Sequence, residues 1–298
     1  KIAYFDETGN MLDKWEIPTV TDDGGSQILP DIAASIAQYR TVKGIAEEDL
    51  LGIGIGVPGP VDSKGNINRC VNLGWGVFNI TQTLSDLTGL PVAAGNDANV
   101  AALGEFWKGG GKGCHDIVMV TLGTGVGGGV VHDQKIVAGR HGLGGEIGHI
   151  HIREGEKETC NCGGHGCLEQ VASATGIARE ARRKMAAKPD ASVMRAYGDA
   201  ITAKDVLDAA KAGDALALEV MDTVCYYLGW ALATISMTVD PEIFVIGGGV
   251  SKAGTFLTDW IDRYYRELTP ISENKGEVRL ATLGNDAGIY GAARLILD

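Results

Sequence analysis

The sequence predicts an α/β protein of two lobes, and three observations carry that reading. Short apolar strands alternate with stretches of helical periodicity along most of the 298 residues, the pattern of a largely parallel sheet covered by helices. Several of those strands end in glycine clusters, at 52–59, 123–129 and 247–249, places where a backbone turns sharply or comes close to a ligand. A loose segment, KGGGKG at 108–113, then interrupts the alternation before a buried strand begins again, which sets the lobe boundary near residue 111.

The elements follow in order. KIAYFDETGNMLDKWEIP (1–18) holds two alternating segments around the turn Glu7 to Asn10 and reads as a hairpin. A helix over roughly 28–39 leads to LLGIGIGVPGPVD (50–62), an apolar strand stopped by Pro58-Gly59-Pro60. A loop with NLGW (72–75), a capped helix from Thr81 and the strand PVAAG (91–95) come next. That strand delivers NDANVAALGE, so Asn96 and Asp97 sit where a strand ends and a helix begins, a common position for ligand-binding groups in α/β folds. Beyond the boundary, DIVMVTLGTGVGGGVV (116–131) starts as a buried strand. Helices are expected at 170–187, 203–212 and 215–238, then a strand at 242–250, a helix at 253–266, a strand at 277–283 and a last helix at 287–297 that packs back on the first lobe. The lobes are then 1–111 with 287–298, and 112–286.

Composition narrows the function. With 45% hydrophobic and 21% charged residues the chain has the makeup of a soluble folded protein with a large core. Its formal charge of -12 and the lack of a basic stripe argue against a nucleic-acid scaffold, while leaving room for a small anionic ligand held locally. The uncharged run TVCYYLGWALATISMTV (223–239) is short for a membrane span, and its small residues Ala231, Ala233 and Ser236 suit a helix buried among neighbours. With no secretion signal, the expected setting is the cytoplasm, without a membrane or a nucleic-acid partner. In that reducing compartment clustered cysteines indicate a metal or catalytic device rather than disulfides.

Four motifs carry chemistry. LGTGVGGG (122–129) matches a dinucleotide pattern, but VVHDQKIVAG after it reads as strand, Asp133-Gln134 turn, strand instead of the required helix. It is therefore a glycine hairpin, either empty or with tip amides that cradle phosphate oxygens, aided by the hydroxyls of Thr121 and Thr124. GGGVS (247–251) is either a second nucleotide-facing turn or merely a tight strand-to-helix connection. Asp97 is a candidate general base for a hydroxyl, and capping of the helix by Asn96 or Asp97 is the competing role. Finally His149, Cys160, Cys162 and Cys167, in H-x10-C-x-C-x4-C, match a closed tetrahedral zinc site, with His151 and His165 as spare ligands. Cys70, Cys114 and Cys225 have no such pattern and read as packing residues. A Walker-type GxxxxGK[ST] loop is absent from the sequence.

Taken in order, GVPGPVD (56–62), NLGW (72–75), NDANVAALGE (96–105), VTLGTGVGGG (120–129), GGEIGHI (144–150), CNCGGHGCLE (160–169), SATG (173–176) and FVIGGGVS (244–251) resemble the ROK family of sugar kinases, and within it the bacterial ATP-dependent glucokinases. The resemblance implies a two-lobed, actin-like (ribonuclease H-like) ATPase fold with a cleft between lobes. It implies transfer of the γ-phosphoryl group of ATP to the 6-hydroxyl of glucose, with Mg2+ and a structural Zn2+. Asp97 matches the catalytic base. Gly59, Asn72, Asn96, Asp97, Glu146, His149 and Glu169 match sugar-contacting positions, and His149, Cys160, Cys162 and Cys167 match zinc ligands. For the nucleotide the expected contacts are Gly123, Thr124, Gly125, Gly127, Gly247, Gly248 and Gly249. A homodimer or homotetramer is expected. The resemblance also implies a strand and a D-x-G-G-T phosphate loop ahead of the segment matching KIAYFD; neither precedes Lys1 here, and both are expected in the full-length protein. Kinases for N-acetylmannosamine, N-acetylglucosamine, mannose or fructose, a polyphosphate-dependent enzyme, and a sugar-sensing repressor stripped of its DNA-binding domain are the alternatives.

Overall fold

The computed structural model describes residues 1–68 and 70–297. In chain order the main elements of the first part are strands β1 (Ile2–Phe5) and β2 (Met11–Trp15), helix α1 (Ile28–Lys43), β3 (Ile53–Val57), α2 (Ile80–Thr88), β4 (Val92–Asn96) and α3 (Asp97–Lys108). There follow β5 (Ile117–Leu122), β6 (Val126–His132), β7 (Lys135–Ile136), α4 (Glu169–Ala172), α5 (Ala174–Ala187), α6 (Ala203–Lys211), α7 (Ala215–Val239), β8 (Ile243–Gly247), α8 (Thr255–Leu268), β9 (Glu277–Leu280) and α9 (Ala287–Leu295).

The chain forms two compact units. The first comprises 1–115, 129–145 and 285–298, the second 116–128 and 146–284. This differs from the split expected at residue 111, because 129–145 group with the first unit. Within that unit Gly129 lies against α3, where an added Cβ would meet the Cβ of Ala102 at 2.6 Å. Asn99 of α3 also donates from Nδ2 to the carbonyl of Gly144 at 3.2 Å.

In the first unit β1 and β2 form the expected antiparallel hairpin, Ile2 opposite Trp15. Asp6 closes its tip, accepting from the amides of Thr8 and Asn10 at 2.9 Å each. Strands β3 and β4 pair in parallel from Ile53 opposite Val92 to Val57 opposite Asn96, with α2 as the crossover that a parallel pair needs. Asn79 caps α2 by accepting from the Gln82 amide at 2.8 Å, which moves the helix start one residue ahead of Thr81. Helix α3 follows β4 without a linker, and α9 crosses it backbone to backbone. A Cβ at Gly104 would strike the carbonyl of Ala287, and one at Gly291 that of Val100. This close crossing anchors the helix whose first residue is Asp97. Between β1 and β3 lies a cavity of about 420 Å³ lined by Ala3, Phe5, Ile53, Gly54, Ala292 and Ile296 among others. Its walls mix these apolar groups with Asp6, Arg40 and Asp49, and β1 and β3 belong to separate sheets.

The second unit is built on the strand order β9-β8-β5-β6, while β7 pairs with the part of β6 that belongs to the first unit. β8 runs parallel to both β5 and β9. IVMVTL and IFVIG are almost wholly buried, as strands covered on both faces require. Helix α7 is long and apolar enough to cross a membrane, yet Val224, Cys225, Leu228, Ala231 and Leu232 are buried in the unit. It packs against α8 as a core helix. Two expected elements change. The helix expected at 170–187 breaks at Ser173, whose extended backbone and side chain, accepting from the Gly176 amide at 3.0 Å, start α5 afresh. The helix expected at 253–266 runs from Thr255 to Leu268, and a 3-10 turn over Val250–Ala253 precedes it.

Candidate active site and metal cluster

In the first unit the site residues gather at the ends of β3 and β4. Asn96 does cap α3: its side-chain oxygen accepts from the amides of Ala98 at 3.0 Å and Asn99 at 3.2 Å. Its Nδ2 meanwhile donates to the carbonyl of Gly59 at 3.3 Å, tying the two strand ends together. Asp97 is thus released from capping and stands at the first turn of α3, where its carboxylate accepts from the Ala98 amide at 2.9 Å. Desolvation by the surrounding protein raises its pKa, and the amides of Ala98 and Asp97 itself partly offset that rise. The helix N-terminus works in the same direction as those amides. Asn72 is exposed on the NLGW loop. That loop is held by Trp75, which donates to the Gly25 carbonyl at 3.0 Å, and by Cys70, whose thiol donates to the Pro58 carbonyl at 2.5 Å. Cys70, read from sequence as mere packing, therefore pins the loop beside Gly59 and lies within the field of Asp97.

In the second unit Glu146, His149 and Glu169 gather around the cysteine loop. His149 turns Nδ1 toward Cys160 Sγ, 3.6 Å away, and Nε2 toward Glu146, 4.0 Å away. Cys162 and Cys167 are 3.6 Å apart, and the four ligand atoms lie within 4.8 Å of one another. A tetrahedral zinc with bonds of about 2.3 Å to sulfur holds its sulfurs roughly 3.8 Å apart, so the residues present fit the ion. Gly163 and Gly166 take positive φ, 88° and 71°, to fold the loop. A Cβ at Gly166 would collide with the Arg153 carbonyl. Burial pushes the Cys167 thiol up to about 12 and raises Cys160 as well. Three thiols so close need a cation to become thiolates together. His151 and His165 turn elsewhere: His151 contacts the His165 carbonyl at 2.7 Å and Glu154 at 3.2 Å, and His165 contacts the Glu158 carbonyl at 3.0 Å.

Glu169 has two neighbours that sequence reasoning did not foresee. One oxygen accepts from the Val126 amide at 3.0 Å, and the other lies 3.8 Å from Cys160 Sγ. The carboxylate thus joins the cysteine loop to the glycine hairpin at 123–125. Of the second glycine cluster, Gly248 is a glycine for packing, since its φ is 84° and a Cβ would meet the backbone of Leu122. Gly247 faces Met119 of the sheet, and Gly249 alone has open space around its Cβ position. Gly127 lies within β6.

The cysteine loop is braced against α5 by ion pairs. Arg183 contacts Glu156 at 2.7 and 2.8 Å, Arg153 contacts Glu180 at 2.7 Å, and Arg179 contacts Glu158 at 2.9 Å. Arg183 beside Glu156 lowers that carboxyl from 4.5 to about 2. A depressed folded-state pKa contributes stability that is present above the unfolded value and lost as pH falls through the folded one. Thermal stability should therefore decline between about pH 4.5 and pH 2 in part through this pair. Glu156→Gln, less stable at neutral pH, should show a shallower decline across that window when melting temperature is followed against pH.

The model of the ROK family matches residues 1–298. The chain belongs to the ROK family, and its fold is that of the two-lobed, actin-like sugar kinases. It is 45% identical to a glucokinase of Halalkalibacterium halodurans, over 99% of this chain and 91% of that one. It is 37% identical to a glucokinase of Thermotoga maritima, over 100% and 93%. Among solved structures it is similar to a ROK-family glucokinase of Streptomyces griseus in complex with glucose and AMPPNP, with 34% identity, a TM-score of 0.75 and coverage of 98% and 94%.

Proposed function

We infer that this protein is a glucokinase, transferring the γ-phosphoryl group of ATP to the 6-hydroxyl of glucose and releasing glucose 6-phosphate and ADP. The observation that carries the reading is Asp97: a carboxylate freed from capping duty by Asn96, in a chain 45% identical to a glucokinase. In the reaction the 6-oxygen attacks the γ-phosphorus, the bond to the β,γ-bridging oxygen breaks, and Asp97 takes the hydroxyl proton. Phosphoryl transfer asks chiefly for alignment and charge neutralisation, so a carboxylate at this position is a sufficient base. Asn72, Asn96, the Gly59 backbone, Glu146, His149 and Glu169 hold the sugar, each fixing a hydroxyl through an acceptor or a donor. Mg2+ bound with ATP would supply neutralisation of the phosphate charge. His149, Cys160, Cys162 and Cys167 would hold a zinc ion that would supply no chemistry to the transfer but would fix the loop from which Glu169 and the far ring nitrogen of His149 act.

The amides of Thr124 and Gly125 at the hairpin tip, with Gly123 and Gly127 and the turn at Gly247, Gly248 and Gly249, take the nucleotide. Gly249 is the member of that turn with room around it. The cytoplasm and a homo-oligomer remain part of this reading. An ADP-release assay with the full chain tests it: glucose should be the preferred hexose over N-acetylmannosamine, N-acetylglucosamine, mannose and fructose, and ATP the preferred donor over polyphosphate. Turnover of none of these sugars would sink the kinase reading, and preference for another hexose would reassign the substrate.

A further inference from the structure

The SATG segment (173–176) is one of the motifs that resemble the family, yet none of the roles above uses it. Its placement suggests one. Ser173 is fully buried and caps α5. The next residue, Ala174, donates its amide to the carbonyl of Gly123 at 2.8 Å, and the hydroxyl of Thr175 donates to the carbonyl of Thr124 at 2.9 Å. Ser173 Oγ lies 2.9 Å from Thr175 Oγ1 and so orients that hydroxyl. On the far side of the tip, Glu169 holds the Val126 amide.

A trans peptide plane points its carbonyl and its amide in opposite directions. The carbonyl of Gly123 shares a plane with the amide of Thr124, and the carbonyl of Thr124 with the amide of Gly125. Drawing both carbonyls toward the start of α5 therefore turns both amides away from it. Among the described residues neither amide has a hydrogen-bond acceptor within the protein. The Gly123 amide, by contrast, is used internally, on the Gly125 carbonyl at 3.0 Å. Gly125 must lack a side chain, because a Cβ there would collide with Glu169 Oε2.

We propose that Thr175 is a positioning residue for the nucleotide: its hydroxyl, with the Ala174 amide, sets the tip carbonyls so that the Thr124 and Gly125 amides meet the phosphates of ATP. The proposal rests on the reading of 123–125 as the phosphate cradle. Three variants of the full chain separate the two ideas. Thr175→Val keeps the shape and removes the donor, Thr175→Ser keeps the donor, and Gly123→Ala puts a methyl at the tip, where its nearest neighbour is the Gly125 carbonyl at 4.0 Å.

Thr175→Val should raise the KM for ATP about 3- to 10-fold, as loss of one neutral hydrogen bond does, and weaken AMPPNP binding in calorimetry equally. The KM for glucose should not move, the melting temperature should fall by no more than the loss of one internal hydrogen bond accounts for, and Thr175→Ser should restore the parent KM for ATP to within about twofold. If Gly123→Ala weakens ATP binding while Thr175→Val does not, the cradle stands and the positioning role of Thr175 is overturned. If neither variant affects ATP, the cradle itself is wrong. A Thr175→Val that raises both KM values together and melts earlier than that loss accounts for, or a Thr175→Ser as impaired as Thr175→Val, shows a merely structural residue and also overturns the proposal.

Discussion

Asp97→Asn is expected to lower kcat for glucose phosphorylation about 10²- to 10⁴-fold, the range over which a positioned general base acts. The substitution is nearly isosteric, and the cap of α3 belongs to Asn96, so folding should survive. An amide oxygen can still accept from the Ala98 amide as the carboxylate does. The loss should therefore appear in kcat, with the KM for glucose changed far less. The pH profile supplies a second readout. Since desolvation raises the Asp97 pKa, kcat/KM should fall, as the medium is acidified, at a higher pH than the value near 3.9 of an ordinary aspartate. The base must be ionised to act, so protonation through that raised pKa switches the reaction off. Parent-like kcat in Asp97→Asn, or an acid limb at the ordinary aspartate value, contradicts this assignment.

Loss of the metal is expected to have the second largest effect. Elemental analysis of the purified protein should find one zinc per chain. Cys162→Ser changes the ligand that is exposed in the loop, so it disturbs packing less than a change at buried Cys160 or Cys167. It should release the ion, lower the melting temperature and raise the KM for glucose about tenfold or more, since displacing a contact group by about an ångström has costs of this order or larger. The physical route is short. His149 faces both Cys160 and Glu146, and Glu169 lies 3.8 Å from Cys160. Gln170 adds a brace, accepting from the Cys167 amide at 3.1 Å and donating to the Glu158 carbonyl at 2.8 Å. An untouched KM for glucose in a protein shown to have lost its metal would separate the knot from the sugar site.

The alternation of apolar strands and periodic helices made most of the fold legible, because burial imposes a period of 2 or 3.6 directly on the residue order. β5 and β8 are nearly continuous apolar runs, the uncharged run 223–239 lies within α7, and all three elements occur where the pattern places them. The cluster of three cysteines and His149 was legible for a similar reason, since a small tetrahedral shell demands a few thiols at short spacing around glycines. The break at Ser173 was not, because a serine inside helical periodicity signals a cap only once its side chain is seen to face the Gly176 amide. Nor was the assignment of 129–145 to the first unit. It depends on Gly129 packing against α3, a contact between residues about thirty positions apart.

What the sequence determined by itself was the set of candidate groups and the elements that carry them: Asp97 at a strand end, three cysteines with His149, and glycines after apolar strands. Local geometry and residue chemistry suffice for that. Only the tertiary structure decided how these groups are held: Asn96 shared between the α3 cap and Gly59, Cys70 on the Pro58 carbonyl, Glu169 between Cys160 and Val126, and Thr175 on Thr124. Each of these is a side chain meeting a backbone or sulfur atom distant in the chain. No period or spacing encodes such a meeting, because its partner is set by how whole elements pack.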